Sequence, residues 1–304
     1  MKENALNKEH NINASSEVSN SISDRTPMFK ALNAERYGRQ TLIKKIQEKT
    51  KNHLICYVAT QSSSLTREDS IGFAEVLYNI PRNSSIDLLI NSPGGDIDAA
   101  EKIVSMLRAT VGKGILRIIV PDFAKSAGTL IALAADKIVM SDSSELGPID
   151  PQFVKKDSDG NQHWHSILNY LSAYDKLSKE LKDDPNNLPA KMMFSKFDAT
   201  TVELFEAIKQ RARTLAEEHL NRWMFQHKKA TYTKIAGDLM DLTKWPAHGQ
   251  MISWEDAKQM ELEVEYFEPD DKLWKSYWEL YCFQRLAIKD HEKLFESEHV
   301  SLPM

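Results

Sequence analysis

An α/β fold organised on a mainly parallel sheet is predicted by two features of residues 53–140. Short apolar, β-favouring runs alternate with helical patterns four times, which implies right-handed βαβ crossovers. The run Ile86-Asp87-Leu88-Leu89-Ile90-Asn91 is apolar on both faces, as a strand covered by helices on either side requires. A third feature, small-residue turns that follow two of these strands, supplies a candidate site.

The elements follow in order. Residues 1–26, rich in Asn, Ser, Glu and Lys, are expected to be a disordered tail, because they offer too little apolar surface to offset ordering entropy. Residues 32–50 suggest a surface helix carrying Leu42, Ile43 and Ile46. A first strand is expected at 54–59. The capping-box pattern of Thr66 and Asp69 then opens a helix with Ile71, Ala74, Leu77 and Ile80 at helical spacing, stopped by Pro81. After the strand at 86–91, Asp96 is a plausible N-cap for a helix whose stripe is Ile97, Ala100, Ile103, Val104 and Leu107. A third strand at 115–120, a small-residue buried helix at 126–135 and a fourth strand at 137–140 complete the series.

Beyond Pro151 the pattern changes. Residues 155–162 read as a polar loop, 166–181 as a helix, 183–187 as a breaker cluster, and 200–226 as a long helix. Ser253 and Asp256 form a second capping-box pattern ahead of a late strand at 262–267. Residues 271–286 carry Trp274, Trp278 and Tyr281 at helical spacing, an aromatic stripe that packs on the body or on another subunit.

The 304 residues suffice for a substantial core, and 41% hydrophobic with 27% charged residues is ordinary for a soluble globular protein. A net charge of -5 gives no general support to nucleic-acid binding, and no nucleic-acid partner is expected. Cys56 and Cys282 are too few for a disulfide framework and read as reduced thiols. No apolar run approaches the roughly 20 residues of a membrane span, and the first residues lack a secretory pattern. No integral membrane segment is expected, and the expected location is cytoplasmic. Without spacing of the His-Glu-x-x-His kind no metal is expected, and without Gly-x-Gly-x-x-Gly no nucleotide cofactor.

The candidate site joins Pro93-Gly94-Gly95 to Lys125-Ser126-Ala127-Gly128. Successive parallel strands would present both turns side by side at their carboxyl ends. The N–H groups of Gly95 and Ala127 would then converge on one oxyanion beside the Ser126 hydroxyl. A small side at Gly94 and Gly95 leaves room for a substrate carbonyl.

These residues resemble a known family. Asn91-Ser92-Pro93-Gly94-Gly95, Ala124-Lys125-Ser126-Ala127-Gly128-Thr129 and Leu146-Gly147-Pro148-Ile149-Asp150-Pro151-Gln152 are together similar to the serine dehydrogenase proteinase family. That family belongs to the Clp protease/crotonase superfamily and is related to signal-peptide peptidase A. The resemblance covers residues 54–151 and extends, more weakly, to the segment 245–267, which contains Pro246-Ala247-His248-Gly249-Gln250. It implies a crotonase/Clp-like spiral of ββα units with a helical C-terminal extension, and peptide hydrolysis by a nucleophilic serine. The implied division is a protease-like domain at 27–268 (core about 53–151, helical insertion about 163–243) and an extension at 269–304. Ser126 matches the nucleophile, Gly95 and Ala127 the oxyanion donors. Peptides or unfolded segments would be the substrates, no cofactor is implied, and a homo-oligomer is expected, with the stripe near Trp274 as a candidate contact.

The proton acceptor is open. Clp proteases carry a histidine on the unit after the nucleophile, where this chain has Gly147-Pro148-Ile149-Asp150 instead. His248 lies in the family-like closing segment. Asp150 would orient a base or a substrate amine, or simply cap a turn. Lys125 adjoins the nucleophile and would either act as base or make a loop contact. His163 and His165 flank Trp164 in a stretch that reads as surface or lid. Two rival functions use the same features: a crotonase-type enzyme on acyl thioesters, and a catalytically inactive assembly module.

Overall fold

A seven-stranded sheet forms the centre of the molecule in the computed structural model, which describes residues 25–157, 159–226 and 232–304. The tail expected over residues 1–26, apart from Arg25 and Thr26, lies outside the described residues. In chain order the helices are α1 (Pro27–Leu32), α2 (Ala34–Thr50), α3 (Asp69–Leu77), α4 (Ile97–Val111), α5 (Ala127–Leu133), α6 (Ile167–Asp183), α7 (Leu188–Phe194), α8 (Ala199–His219), α9 (Tyr232–Leu239), α10 (Trp254–Gln259) and α11 (Lys272–Ala287). The strands are β1 (His53–Ala59), β2 (Ile86–Asn91), β3 (Leu116–Ile119), β4 (Phe123–Ala124), β5 (Lys137–Met140), β6 (Glu145–Leu146), β7 (Gln152–Lys156), β8 (Gln162–Ser166), β9 (Val264–Tyr266), β10 (Lys293–Glu296) and β11 (Ser301–Pro303).

The sheet order is β11-β10-β1-β2-β3-β5-β9. From β1 to β9 every pairing is parallel, with Tyr57 opposite Ile90, Leu88 opposite Ile118, Ile118 opposite Ile138 and Ile138 opposite Val264. Both faces are covered, which explains the continuous apolar character of β2. Ile55, Tyr57, Leu88, Ile90, Ile118 and Ile138 pack with α3, α4 and α5 on one side. Leu54, Cys56, Val58, Leu89, Ile119 and Val139 pack with α2 and α11 on the other. Asp87 interrupts β2 and is fully buried, yet Arg117 bonds it at 2.6 Å and the Tyr277 hydroxyl donates to it at 2.9 Å.

A second, smaller layer crosses the carboxyl ends of these strands. Leu65 bridges Gly95, Ser92 bridges Ala124, Phe123 and Ala124 pair with Glu145 and Leu146, and Leu146 bridges Ile252. Each unit after β2 and β3 therefore continues into this layer before its helix begins. It is this layer that carries the site.

The Asp96 cap forms, with its carboxylate accepting from Asp98 N–H at 2.8 Å, and the Ser253–Asp256 box is complete in both directions. Four expectations are corrected. Thr66 does not cap α3 through its hydroxyl; only its N–H reaches Asp69, whose buried carboxylate is drawn to Lys293 at 2.8 Å. The stretch read as a polar loop is the turn and arms of the β7–β8 hairpin, a solvent-facing ribbon without the apolar alternation that marks a strand. The C-terminal extension expected at 269–304 is helical through α11, and its last residues add β10 and β11 antiparallel to the β1 edge. Trp274 and Tyr281 are each 3% exposed inside their own chain's core, so Trp274 is no surface for a second subunit, whereas Trp278 of the same stripe is exposed.

Among the described residues, no helix is long and apolar enough to cross a membrane.

Candidate active site

Ser126 joins β4 to α5 with φ +50° and ψ -113°, in a region that residues with a Cβ rarely occupy. The turn is fastened on both sides. Gly128 N–H donates to Lys125 O at 2.7 Å, Leu130 N–H donates to Ser126 O at 3.1 Å, and Lys125 N–H donates to Ser92 O at 2.9 Å. Thr129 Oγ1 lies 2.8 Å from the carbonyls of both Ala124 and Gly147, tying α5 to the strand layer. A strand–turn–helix junction of this kind lifts a serine hydroxyl clear of the sheet.

Gly94 and Gly95 lie against this turn, with φ +98° and +147°. A Cβ on Gly94 would stand 2.6 Å from Lys125 O, 2.7 Å from Ser126 Cβ and 3.1 Å from Ala127 N. One on Gly95 would stand 2.4 Å from Leu65 O. Only glycine at position 94 lets the two turns meet, and only glycine at 95 fits against Leu65. Gly94 N–H is taken by Ser92 Oγ at 3.2 Å and Asp96 N–H by Leu65 O at 2.9 Å. Among the described residues the N–H groups of Gly95 and Ala127 have no acceptor.

These residues open into a cleft of about 910 Å³, lined also by His248, Asp150, Lys125, Glu145, Trp164, Ile167, Ile208 and Arg211. Asp150 is 3% exposed and held at both oxygens. Ser166 Oγ donates to Oδ1 at 2.6 Å, and His248 Nδ1 stands 3.4 Å from Oδ2. The histidine ring thus has one nitrogen directed at a carboxylate. Its separation is long for a hydrogen bond. No hydrogen bond links Ser126 Oγ to His248 among the described residues.

Lys125 turns away from Ser126 into a nest of oxygens. Its Nζ stands 2.9 Å from Glu145 Oε1 and donates to the carbonyls of Leu146, Gly249 and Gln250 at 3.4, 3.3 and 3.2 Å. His163 and His165 do not line the cleft: His163 Nε2 pairs with Asp157 at 2.9 Å and His165 packs on Phe153. Trp164 between them does line it, on the opposite face of the hairpin ribbon.

Sequence reasoning missed Ser166, Glu145 and Arg211. Ser166 was legible only as a helix start. Its second bond, to Asp150, depends on the hairpin that returns β8 beside β7. A further histidine, His219, packs behind α5 with Nδ1 2.9 Å from Leu130 O, and burial holds its pKa down at about 4. No group of three or more His, Cys, Asp or Glu side chains among the described residues is placed to hold a metal.

The family model for ClpP-like SDH-type serine proteinases matches residues 20–281, most of the chain. The chain belongs to this family. The resemblance carried by the glycine turn, the serine turn and the Leu-Gly-Pro-Ile-Asp-Pro-Gln segment is thereby borne out. Two uncharacterized proteins of the archaeon Methanocaldococcus jannaschii are relatives. MJ0137 is 37% identical over 125 residues, covering 38% of this chain and 43% of its own length. MJ1495 is 41% identical over 120 residues, covering 40% and 37%. The matches thus span less than half the length of either relative. Among solved structures, the 1510-N membrane-bound stomatin-specific protease, in a mutant form, aligns with 19% identity and a TM-score of 0.39 over 70% of this chain and 79% of its own. ClpP1 from Listeria monocytogenes aligns with 16% identity and a TM-score of 0.39 over 76% and 97%. The chain has the mixed α/β fold with a central, mostly parallel sheet and a helical C-terminal region that its motifs implied.

Proposed function

We propose that this proteinase-family chain hydrolyses peptide bonds through a Ser126 acyl-enzyme. The observation that carries the reading is the strained turn at Ser126, which opens into one cleft with Gly95 and the His248–Asp150 pair. Ser126 Oγ attacks the carbonyl carbon of the scissile bond, and its proton passes to His248 Nε2. The N–H groups of Gly95 and Ala127 take the developing oxyanion, and removing one such donor typically lowers the rate by about 10²–10³. The amine leaves with the proton from His248. Water, deprotonated by the same ring, then releases the acid. Asp150 keeps Nδ1–H of His248 facing itself, which leaves Nε2 to accept.

The cleft extends past Gly94 and Gly95 toward Trp164 and Ile208 and has room for a short extended peptide, which supports peptides and unfolded segments as substrates. A homo-oligomer belongs to the same reading, with its contact away from Trp274; sedimentation at several concentrations measures it. The test of the activity is incubation of the full chain with a denatured protein, with fragments read by mass spectrometry. Native chain is expected to yield fragments that Ser126→Ala does not. Equal fragmentation by both would remove Ser126 from the reaction.

A further inference from the structure

We propose that Lys125 is a positioning residue, a cationic clasp that fixes the His248 loop against the nucleophile turn. The inference rests on the assignment of Ser126 and His248 above, and it gives a role to the one titratable neighbour of Ser126 which that mechanism leaves unused.

Lys125 and Ser126 are adjacent, so their side chains leave the turn in different directions. The stem of Lys125 runs beneath Gly147, where an added Cβ would lie 2.5 Å from Lys125 Cδ. Its Nζ then emerges between two segments, 145–146 on β6 and the loop at 249–250, and meets one carboxylate and three carbonyls. An ammonium has three donors and no acceptor, and every oxygen around it here is an acceptor. A general base needs a free lone pair aimed at the serine; this group instead directs its donors at Glu145 and Leu146 on one side and at the carbonyls of Gly249 and Gln250, the two residues after His248, on the other.

The other bonds at that point are short-range, with the Gln250 side-chain amide 3.5 Å from Lys244 O. Gln250 N–H donates to Ala247 O within the loop itself, and Ile252 pairs with Leu146 further on. His248 is therefore located by Asp150 at its ring and by Lys125 at the backbone that follows it. Because the clasp is built from the residue that precedes the nucleophile, any shift of the serine turn and any shift of the histidine loop are coupled through one side chain. Misplacing a catalytic group by about 1 Å can lower a rate by about 10²-fold.

Inactivation of the full chain by a fluorophosphonate, resolved into the first-order rate and the binding constant across pH, tests this, together with hydrogen exchange of the 244–252 segment. The variants are Lys125→Arg, Lys125→Met and Gly147→Ala, the last displacing the lysine stem while retaining its charge. Folding of each is checked by thermal melting. With a clasp, Lys125→Met and Gly147→Ala lower the first-order rate about a hundredfold with little change in binding constant, and exchange at 247–250 rises selectively. Lys125→Arg, still a multi-donor cation, recovers most of the rate with the same pH midpoint as native. If Lys125 is instead the base, Lys125→Arg is as inactive as Lys125→Met and exchange in the loop is unchanged, which overturns the proposal. Native rates in Lys125→Met overturn it as well. If the native chain takes no label at all, the peptidase reading fails, and exchange alone decides the clasp: loosening of 247–250 in Lys125→Met supports it, unchanged exchange refutes it.

Discussion

Gly94 lies so close to Ser126 that the Cβ of any larger residue would come within 2.7 Å of the serine Cβ. The contact registers the glycine turn of one unit against the serine turn of the next, with the added Cβ also 3.1 Å from Ala127 N. Gly94→Ala must push the serine turn away and also hold a side chain at φ +98°. Hydrolysis is expected to fall by about a hundredfold or more, with the melting temperature lowered only modestly. Gly160→Ala, at the exposed hairpin turn where nothing lies within 4 Å, is the control and keeps near-native activity.

Asp150→Asn removes the charge facing His248 Nδ1 and offers an N–H in its place, so the ring can present the wrong tautomer. Turnover is expected to drop by about 10²–10⁴ with KM little changed. Ser166→Ala, which releases only the other oxygen of Asp150, is expected to cost far less. Steady-state kinetics on one fluorogenic peptide compares the two.

Burial behind α5 disfavours the charged form of His219, whose pKa falls to about 4. The unfolded chain, with a histidine near its ordinary value of about 6.5, binds the proton first. Stability is therefore fully present above about pH 6.5 and lost as pH falls toward 4, by on the order of 3 kcal/mol in total, with no further loss below that. His219→Gln, able to donate to Leu130 O, is expected to flatten this part of the pH dependence. Denaturant unfolding between pH 4 and 7 measures the difference.

Lys293 on β10 neutralises Asp69 on α3, both of them buried. Lys293→Met leaves an uncompensated carboxylate in the core and is expected to destabilise by about 3–5 kcal/mol, whereas adding Asp69→Asn restores much of that loss. Chemical denaturation of the two variants tests the coupling.

The same pair explains why the sheet edge was not legible in the sequence. β10 reads Lys293-Leu294-Phe295-Glu296, charged at both ends, and its burial depends on Asp69 and on Arg39, which lie more than 200 positions away. The parallel centre was legible because β2 must be apolar on both sides, and the serine site because glycine and alanine mark places where two turns approach closely. Lys125 shows the limit of such reading. Its partners are three backbone carbonyls and one carboxylate, and carbonyls carry no sequence signal. Trp274 shows another: helical spacing identified the stripe, while only the packed α11 shows that Trp274 faces inward.

The central claim is that Ser126 is an activated nucleophile. Exposure of the native chain and Ser126→Ala to a fluorophosphonate, followed by intact mass, tests it most directly. One adduct is expected on the native chain, absent from Ser126→Ala and greatly slowed in His248→Ala. An adduct of equal yield on Ser126→Ala, or none on the native chain, would contradict it.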